Sequence, residues 1–526
     1  MPADSVTVLP TTLGALLRMR ARQRPEQALV CAADGEAAMS YGDLNHHASE
    51  FAQLLKRLGC AAGDRIVIGF GNTPEFFVAL FGCWRAGMIA VPVDQMLAGA
   101  ELQAIVMHAQ PVLVVTDPGA RAQWQQLQLT CSLIEAPAIG HPPVTGESVD
   151  WENEPVSAQA SADSPALLLY TSGTTGEPKG VLYSHGNLLA KLRTISEWFG
   201  FDSSYVTLCL LPTHFGHGLI CNCLPVLDYG GTLILAAPFS LDLIGRLWPI
   251  IERHGVNYFS SVPTVVRLLL QHVRRDPVRI APSLKFVTCA SAPLRSEEVE
   301  MFQSTFGVPL LNCYGLTETT GWSTCSANDP YRDLAAVGKV ITGELRVVDA
   351  LGQPLPQGQQ GEIQIRGRAV MLGYFKNPAL TASVMRDGWF ATGDVGALGA
   401  DGTVTLHSRI KELIICAGKN VYPTEVDDVL MSHPDVAEAC TVGLEDALTG
   451  EQVAACVVRV TGSALSAQAL IAHAQRRLAA YKCPKRILFV DSIPRTSRGK
   501  VNRSSLCTLF AKQAARSVSE DSRANV

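Results

Sequence analysis

Apolar residues recur at helical spacing over Leu13 to Arg22 and over Tyr41 to Leu58, and the second stretch opens on Ser40-Tyr-Gly-Asp, a capping sequence. Arg65 to Gly71 then reads as a short apolar strand, Thr73 to Gly87 as a helix, and Ile89 to Asp94 and Val112 to Asp117 as further strands. Strand, helix and strand in succession predict a parallel sheet covered by helices. A Pro-, Ser-, Ala- and acid-rich connection spans 140–164, after which the alternation resumes with the buried strand Ala166 to Tyr170, then Leu284 to Cys289 and Leu310 to Gly315. From about 337 the pattern changes to short strands broken by Gly and Pro turns, the mark of a small β-rich unit. Past Arg409 a third texture follows, with strand patterns at Val442 to Asp446 and Val453 to Val458 and a last helix over Ala467 to Ala480. The polar end of the chain, beyond about 507, is expected to be disordered.

With 526 residues, the chain is too long for one core, and 47% hydrophobic against 17% charged residues describes a well-buried protein. A net charge of -5 excludes a general nucleic-acid binder. Glu75 and Arg85 interrupt the longest apolar run, Ile66 to Val93, so no transmembrane segment is expected. The 15 cysteines form no C-x-x-C pair and follow a polar N-terminus, which points to reduced thiols in the cytoplasm. Cys221 and Cys223 would share one face if their segment were a strand.

Four clusters carry chemistry. In Tyr170-Thr-Ser-Gly-Thr-Thr-Gly-Glu-Pro-Lys-Gly180, Gly173 and Gly176 let backbone N–H groups turn inward as an anion nest, Ser172, Thr174 and Thr175 add hydroxyls, and Lys179 adds charge. It is not the common phosphate loop, because Gly180 follows the lysine; Gly69-Phe-Gly71, lacking a third glycine, reads as a plain turn. The second cluster, Asn312 to Gly321, sets Glu318 beside Thr317 after a strand end, where a carboxylate next to phosphates suits Mg²⁺. Tyr314 offers a flat face for a base; alternatively Thr317 or Thr319 simply caps a helix. The third, Gly388 to Gly396, holds Asp394 in a Gly-flanked turn, either bonding its own backbone or accepting two ribose hydroxyls, with Arg409 and Lys411 just beyond. The fourth, Pro494-Arg-Thr-Ser-Arg-Gly-Lys-Val-Asn-Arg503, presents Lys500 as a mobile cation or a solvated basic loop.

Together, in this order and spacing, the four clusters resemble the ANL superfamily of adenylate-forming enzymes, which includes acyl-CoA and aryl-CoA synthetases, over about Leu13 to Leu506. The resemblance implies an α/β multidomain fold: two parallel-type sheet subdomains plus a β-barrel in an N-terminal region (1–408, binding ATP and the acid), a hinge (409–411, at Lys411) and a small mobile α+β C-terminal domain (412–526). It implies that Thr171, Ser172, Gly173, Thr174, Thr175, Gly176 and Lys179 wrap the β- and γ-phosphates of ATP, with Thr171 in a catalytic position. Tyr314 and Gly315 would meet adenine near Ser291 and Ala292. Thr317 would touch the α-phosphate, Glu318 would hold Mg²⁺, and Asp394 and Arg409 would hold ribose. Lys500 would be the catalytic cation, and Gly418 with Lys419 would line the CoA path.

By the same resemblance, Leu211 to Leu224 is the acid-binding region. It contains no aspartate to pair with an ammonium, which disfavours an α-amino acid; His214, Phe215 and His217, with Ala290, Asn312 and Gly315 opposite, suggest an apolar pocket for an aryl or short- to medium-chain acid. His217 is equally readable as a packed, hydrogen-bonded residue. The compact stretch Gly343 to Gly373 carries no obvious insertion, which favours free CoA over the phosphopantetheine arm of a carrier protein. The expected partners are therefore a small carboxylic acid and CoA, for a monomer or homodimer.

Overall fold

The computed structural model describes residues 10–35, 38–135, 160–171, 178–237, 240–273, 280–326, 334, 336–495 and 501–524, with side chains through 513. Two compact units emerge: Met1–Leu345 with Gln364–Ala391 and Asp401–Val404, and Arg346–Ile363 with Thr392–Ala400 and Thr405–Val526.

In the first unit the unbroken apolar runs become the centres of two sheets. Arg65–Gly69 pairs in parallel with Ile89–Pro92 and Leu113–Thr116, and Ile66, Val67, Val91, Val114 and Val115 are fully buried. Burial on both faces is why these strands do not alternate with polar residues. Ile89–Pro92 pairs onward with Pro165–Thr171, and that strand turns back antiparallel through Lys179–Ser184. The short strand Gly373–Tyr374 completes this edge of the seven-stranded sheet. In the nine-stranded sheet, Val206–Cys209, Thr232–Leu235, Tyr258–Ser261, Phe286–Cys289 and Leu310–Leu316 run parallel, and Gly321–Cys325 reverses direction. Helices start where the sequence signals them: Ser40 and Asp43 cap Tyr41–Arg57 reciprocally, as Ser184 and Asn187 do for His185–Phe199.

His217–Cys223 is a π-helix and not a strand, so Cys221 and Cys223 do not share a strand face. The widened turn is visible in the Leu224 N–H, which reaches back five residues to the Leu219 carbonyl.

The second unit is built on a long hairpin, Val436–Asp446 with Gly450–Arg459, covered by the helices Pro423–Met431 and Ala467–Gln475 and flanked by the parallel strand Arg486–Phe489. The end of the chain departs from expectation: Arg503–Ala524 is a helix. Leu506 and Phe510, one helical turn apart, are buried with Cys440, Val442 and Cys456, an apolar anchor concealed among polar neighbours.

Candidate active site

The stretch Tyr170 to Gly180 is bounded by two paired antiparallel strands. Thr171 ends one strand, Lys179 begins the next, and the two are directly cross-paired, as are Tyr170 and Gly180. Ser172, Gly173, Thr174, Thr175 and Gly176 lie outside the described residues. Tyr170 is buried with its hydroxyl 2.9 Å from His108 Nδ1.

Thr317, Glu318 and Thr319 form a single 3₁₀ turn after the strand Leu310–Leu316. Thr319 does the capping, accepting the Leu316 N–H at 3.0 Å, which leaves Thr317 and Glu318 to other work. Two tyrosines from the hairpin edge fix the turn. Tyr183 donates to the Thr317 carbonyl at 2.7 Å, and Tyr374 donates to Glu318 Oε1 at 2.8 Å. Burial and the adjoining carboxylate push the Tyr374 phenol up, so it stays a donor. No basic side chain pairs with Glu318 among the described residues, and one oriented carboxylate with spare lone pairs fits Mg²⁺ shared with substrate phosphates. Tyr374 was not singled out in the sequence; a lone tyrosine in a two-residue strand carries no pattern.

Tyr314 is buried. Gly315 is obligatory, since a Cβ there would collide with the Gly321 carbonyl of the facing strand. Ser291 and Ala292 are exposed just past the strand Phe286–Cys289, and Ser291 adopts φ 75°. His217 explains how Ser291 is held: its Nδ1 lies 3.0 Å from Ser291 Oγ and its Nε2 2.6 Å from Ser260 Oγ. Ser260 in turn accepts from Thr288 at 2.8 Å. Burial lowers the His217 pKa to about 3, so the ring is neutral and acts as a hydrogen-bonded strut. His214 is half-buried with Nε2 3.5 Å from Asp94 Oδ2, a partner that sequence reading missed because it lies on a different strand end. Phe215 is half-buried beside it, and Ala290 is buried. Asn312 directs its amide to the Ala336 carbonyl at 3.4 Å.

In the second unit, Asp394 belongs to the ten-residue strand Trp389–Leu398 and not to a turn; Gly393, at φ 70°, supplies the local kink. Asp394 is buried, and Arg409 Nε lies 3.0 Å from its Oδ1. The carboxylate is thus oriented by a bonded guanidinium. Lys411 is exposed in the 3₁₀ turn Ile410–Glu412, within this unit. Ala417 and Gly418, at φ 51° and 73°, form the tip of the hairpin Ile414–Cys416 and Lys419–Val421, and Lys419 Nζ stands 4.8 Å from the Tyr481 ring centroid. Lys500 lies outside the described residues; on either side of 496–500, Arg495 and Val501 pair as an antiparallel bridge.

Residues 17–375 match the family described as AMP-binding enzyme, and residues 425–500 match the AMP-binding enzyme C-terminal domain. The chain is 33% identical to a sulfoacetate–CoA ligase of Cupriavidus necator over 94% of its own length and 97% of the relative's. It is 31% identical to a feruloyl-CoA synthase of an Amycolatopsis species, covering 93% and 97% of the two chains. The structure of ATP-bound MatB from Rhodopseudomonas palustris superposes with a TM-score of 0.81 at 29% identity, covering 95% of this chain and 99% of that one. The chain belongs to the AMP-binding enzyme family, within the ANL superfamily of adenylate-forming enzymes. Its particular class is the AMP-forming, acid-activating ligases. No helix among the described residues is long and apolar enough to cross a membrane.

Proposed function

We propose that the protein uses ATP and Mg²⁺ to convert an aryl or short- to medium-chain carboxylic acid into an acyl-adenylate, and then transfers the acyl group to CoA. The observation that carries this reading is the tie between hairpin and turn. Tyr183 and Tyr374, on paired strands of one sheet edge, hold the Thr317–Glu318 turn in register with the hairpin bearing Thr171 and Lys179.

A carboxylate is a poor acylating agent because its leaving group is poor. In the first step an acid oxygen attacks the α-phosphorus of ATP and pyrophosphate departs; in the second a thiol sulfur attacks the acyl carbon, AMP departs and the thiol proton passes to solvent. Two anions must approach, so donors and cations around the phosphates dominate catalysis. Thr171 to Lys179 hold the outer phosphates, Thr317 meets the α-phosphate, and Ser291, Ala292, Tyr314 and Gly315 seat adenine. Glu318 holds Mg²⁺, which when bound offsets phosphate charge. Asp394, oriented by Arg409, accepts the ribose hydroxyls. Lys500 approaches the reacting oxygens and must withdraw for thiolysis, which gives a hinge at Lys411 its purpose; Gly418 and Lys419 then border the thiol path. Domains 1–408 and 412–526 flank that hinge. The relatives named for sulfoacetate and ferulate support both short and aryl acids. Fifteen free cysteines agree with a cytoplasmic setting, and the active species is a monomer or homodimer.

The test is pyrophosphate release over a panel of aryl and short, medium and long aliphatic acids, followed by thioester analysis with free CoA and with phosphopantetheinylated carrier proteins. Acid-dependent release with acyl-CoA formation is expected. Acylation of a carrier protein with no acyl-CoA would sink the CoA assignment, and no acid-dependent release would sink the activity itself.

A further inference from the structure

Lys191 is fully buried on the helix His185–Phe199, yet no carboxylate among the described residues pairs with it. Among the described residues its one hydrogen bond goes to the Trp322 carbonyl. An ammonium has N–H donors to spare beyond that single bond. On the same partner residue, the indole Nε1 of Trp322 is also buried without a hydrogen-bond partner among the described residues. Among the described residues, this corner of the protein has donors to spare and no carboxylate to meet them. Burying a cation without a counter-charge costs stability, and such an arrangement is expected at sites that serve a ligand.

The location gives the ligand. Trp322 is cross-paired with Gly315, a wall residue of the acid pocket, and its ring meets His217 edge-on with centroids 5.4 Å apart. Cys221, whose charge would act on Lys191, belongs to the same π-helix as His217. A Cβ at Gly321 would strike the Cys221 sulfur, so backbone and thiol close tightly here and bring no acidic group with them. Lys191 therefore stands behind the segments that line the acid pocket, with an apolar stem long enough to redirect its head. Burial holds its pKa down to about 7, a cost that an incoming anion would relieve.

We propose that Lys191 is a specificity-determining residue that receives a second anionic group, a carboxylate or sulfonate, at the far end of the acid being activated. This rests on the acid-activating reading above and narrows its substrate class to acids bearing a distal negative charge.

The experiment compares matched acids of equal length, one tipped by a carboxylate or sulfonate and the other by a methyl group, in pyrophosphate release by the wild type, Lys191→Met and Lys191→Arg. Wild type should favour the anion-tipped member by at least about tenfold in kcat/KM, mainly through KM. Lys191→Met should abolish or invert that preference while retaining activity on the methyl-tipped acid, and Lys191→Arg should keep part of it. Thermal melting separates a structural role: Lys191→Met should melt at or above the wild-type temperature, because it removes an uncompensated buried charge. A wild type that favours methyl-tipped acids throughout, an unchanged ratio in Lys191→Met, or a Lys191→Met protein that melts lower and loses both acids equally would overturn the proposal while acid activation stands. Release with no acid at all would overturn the underlying reaction as well.

Discussion

Single side chains at this site act through partners far away in the chain. Glu318 stands out in the sequence because a carboxylate in a Thr-rich turn after a strand is conspicuous, but its orientation comes from Tyr374, 56 residues away. Replacing Tyr374 with Phe should leave the fold intact and release the carboxylate to rotate. We expect kcat for pyrophosphate formation to fall about tenfold, equivalent to ~1.4 kcal/mol, and the Mg²⁺ concentration for half-maximal rate to rise. An unchanged Mg²⁺ dependence would show that Tyr374 does not position Glu318. His217 shows the converse. Its residue type alone left pocket lining and packing equally open, and the structure resolves its immediate work: both ring nitrogens are engaged by serine hydroxyls, and one of these belongs to Ser291 in its left-handed backbone conformation.

Elements were legible where periodicity or capping was strong. The helices Leu13–Gln23 and Tyr41–Arg57 and the strands Arg65–Gly69, Ile89–Pro92, Leu113–Thr116, Pro165–Thr171, Phe286–Cys289 and Leu310–Leu316 follow the pattern of apolar positions within a few residues. The misreadings occur where local pattern and tertiary pairing diverge. The residues around Asp394 carry glycines that suggest a turn, yet sheet pairing carries them through as one strand kinked at Gly393, and the apolar stripe of the last helix amounts to few residues in a polar tail. One short element offers a clean test. Ala417 and Gly418 both have positive φ in a two-residue hairpin tip, a geometry that alanine adopts at a cost of about 1 kcal/mol. Ala417→Gly should therefore raise stability by up to ~1 kcal/mol in denaturant unfolding, whereas a loss of stability would mean that the alanine methyl has a packing role there.

Across the whole molecule, buried histidines couple stability to pH. His185, accepting the Leu13 N–H at 3.3 Å, has its pKa lowered by burial to about 4, and His217 is lowered to about 3. Both lie below the ordinary value of about 6.5, so between these limits the unfolded chain binds protons that the folded chain refuses. Their stability contribution is complete above about pH 6.5 and is lost as pH falls toward 4 and then 3. Buried Asp427, raised to about 7, works in the opposite direction. Melting temperature should fall from pH 6.5 to 4.5, and His217→Gln, which keeps hydrogen-bonding capacity without titrating, should fall less steeply than wild type. Parallel profiles for the two proteins would remove His217 from this account.

The four motifs, in their order and spacing, were enough to bring out the resemblance to adenylate-forming enzymes, and the family match over residues 17–375 and 425–500 bears that class out. The parallel strands at the centre of the seven-stranded sheet were legible because burial on both faces writes unbroken apolar runs. Tertiary structure alone decided which partners orient those groups. Tyr374 on Glu318, Asp94 beside His214, and Lys191 buried on the Trp322 carbonyl with no carboxylate partner among the described residues are long-range arrangements, set by how strands pair and helices cover them, and no local pattern records them.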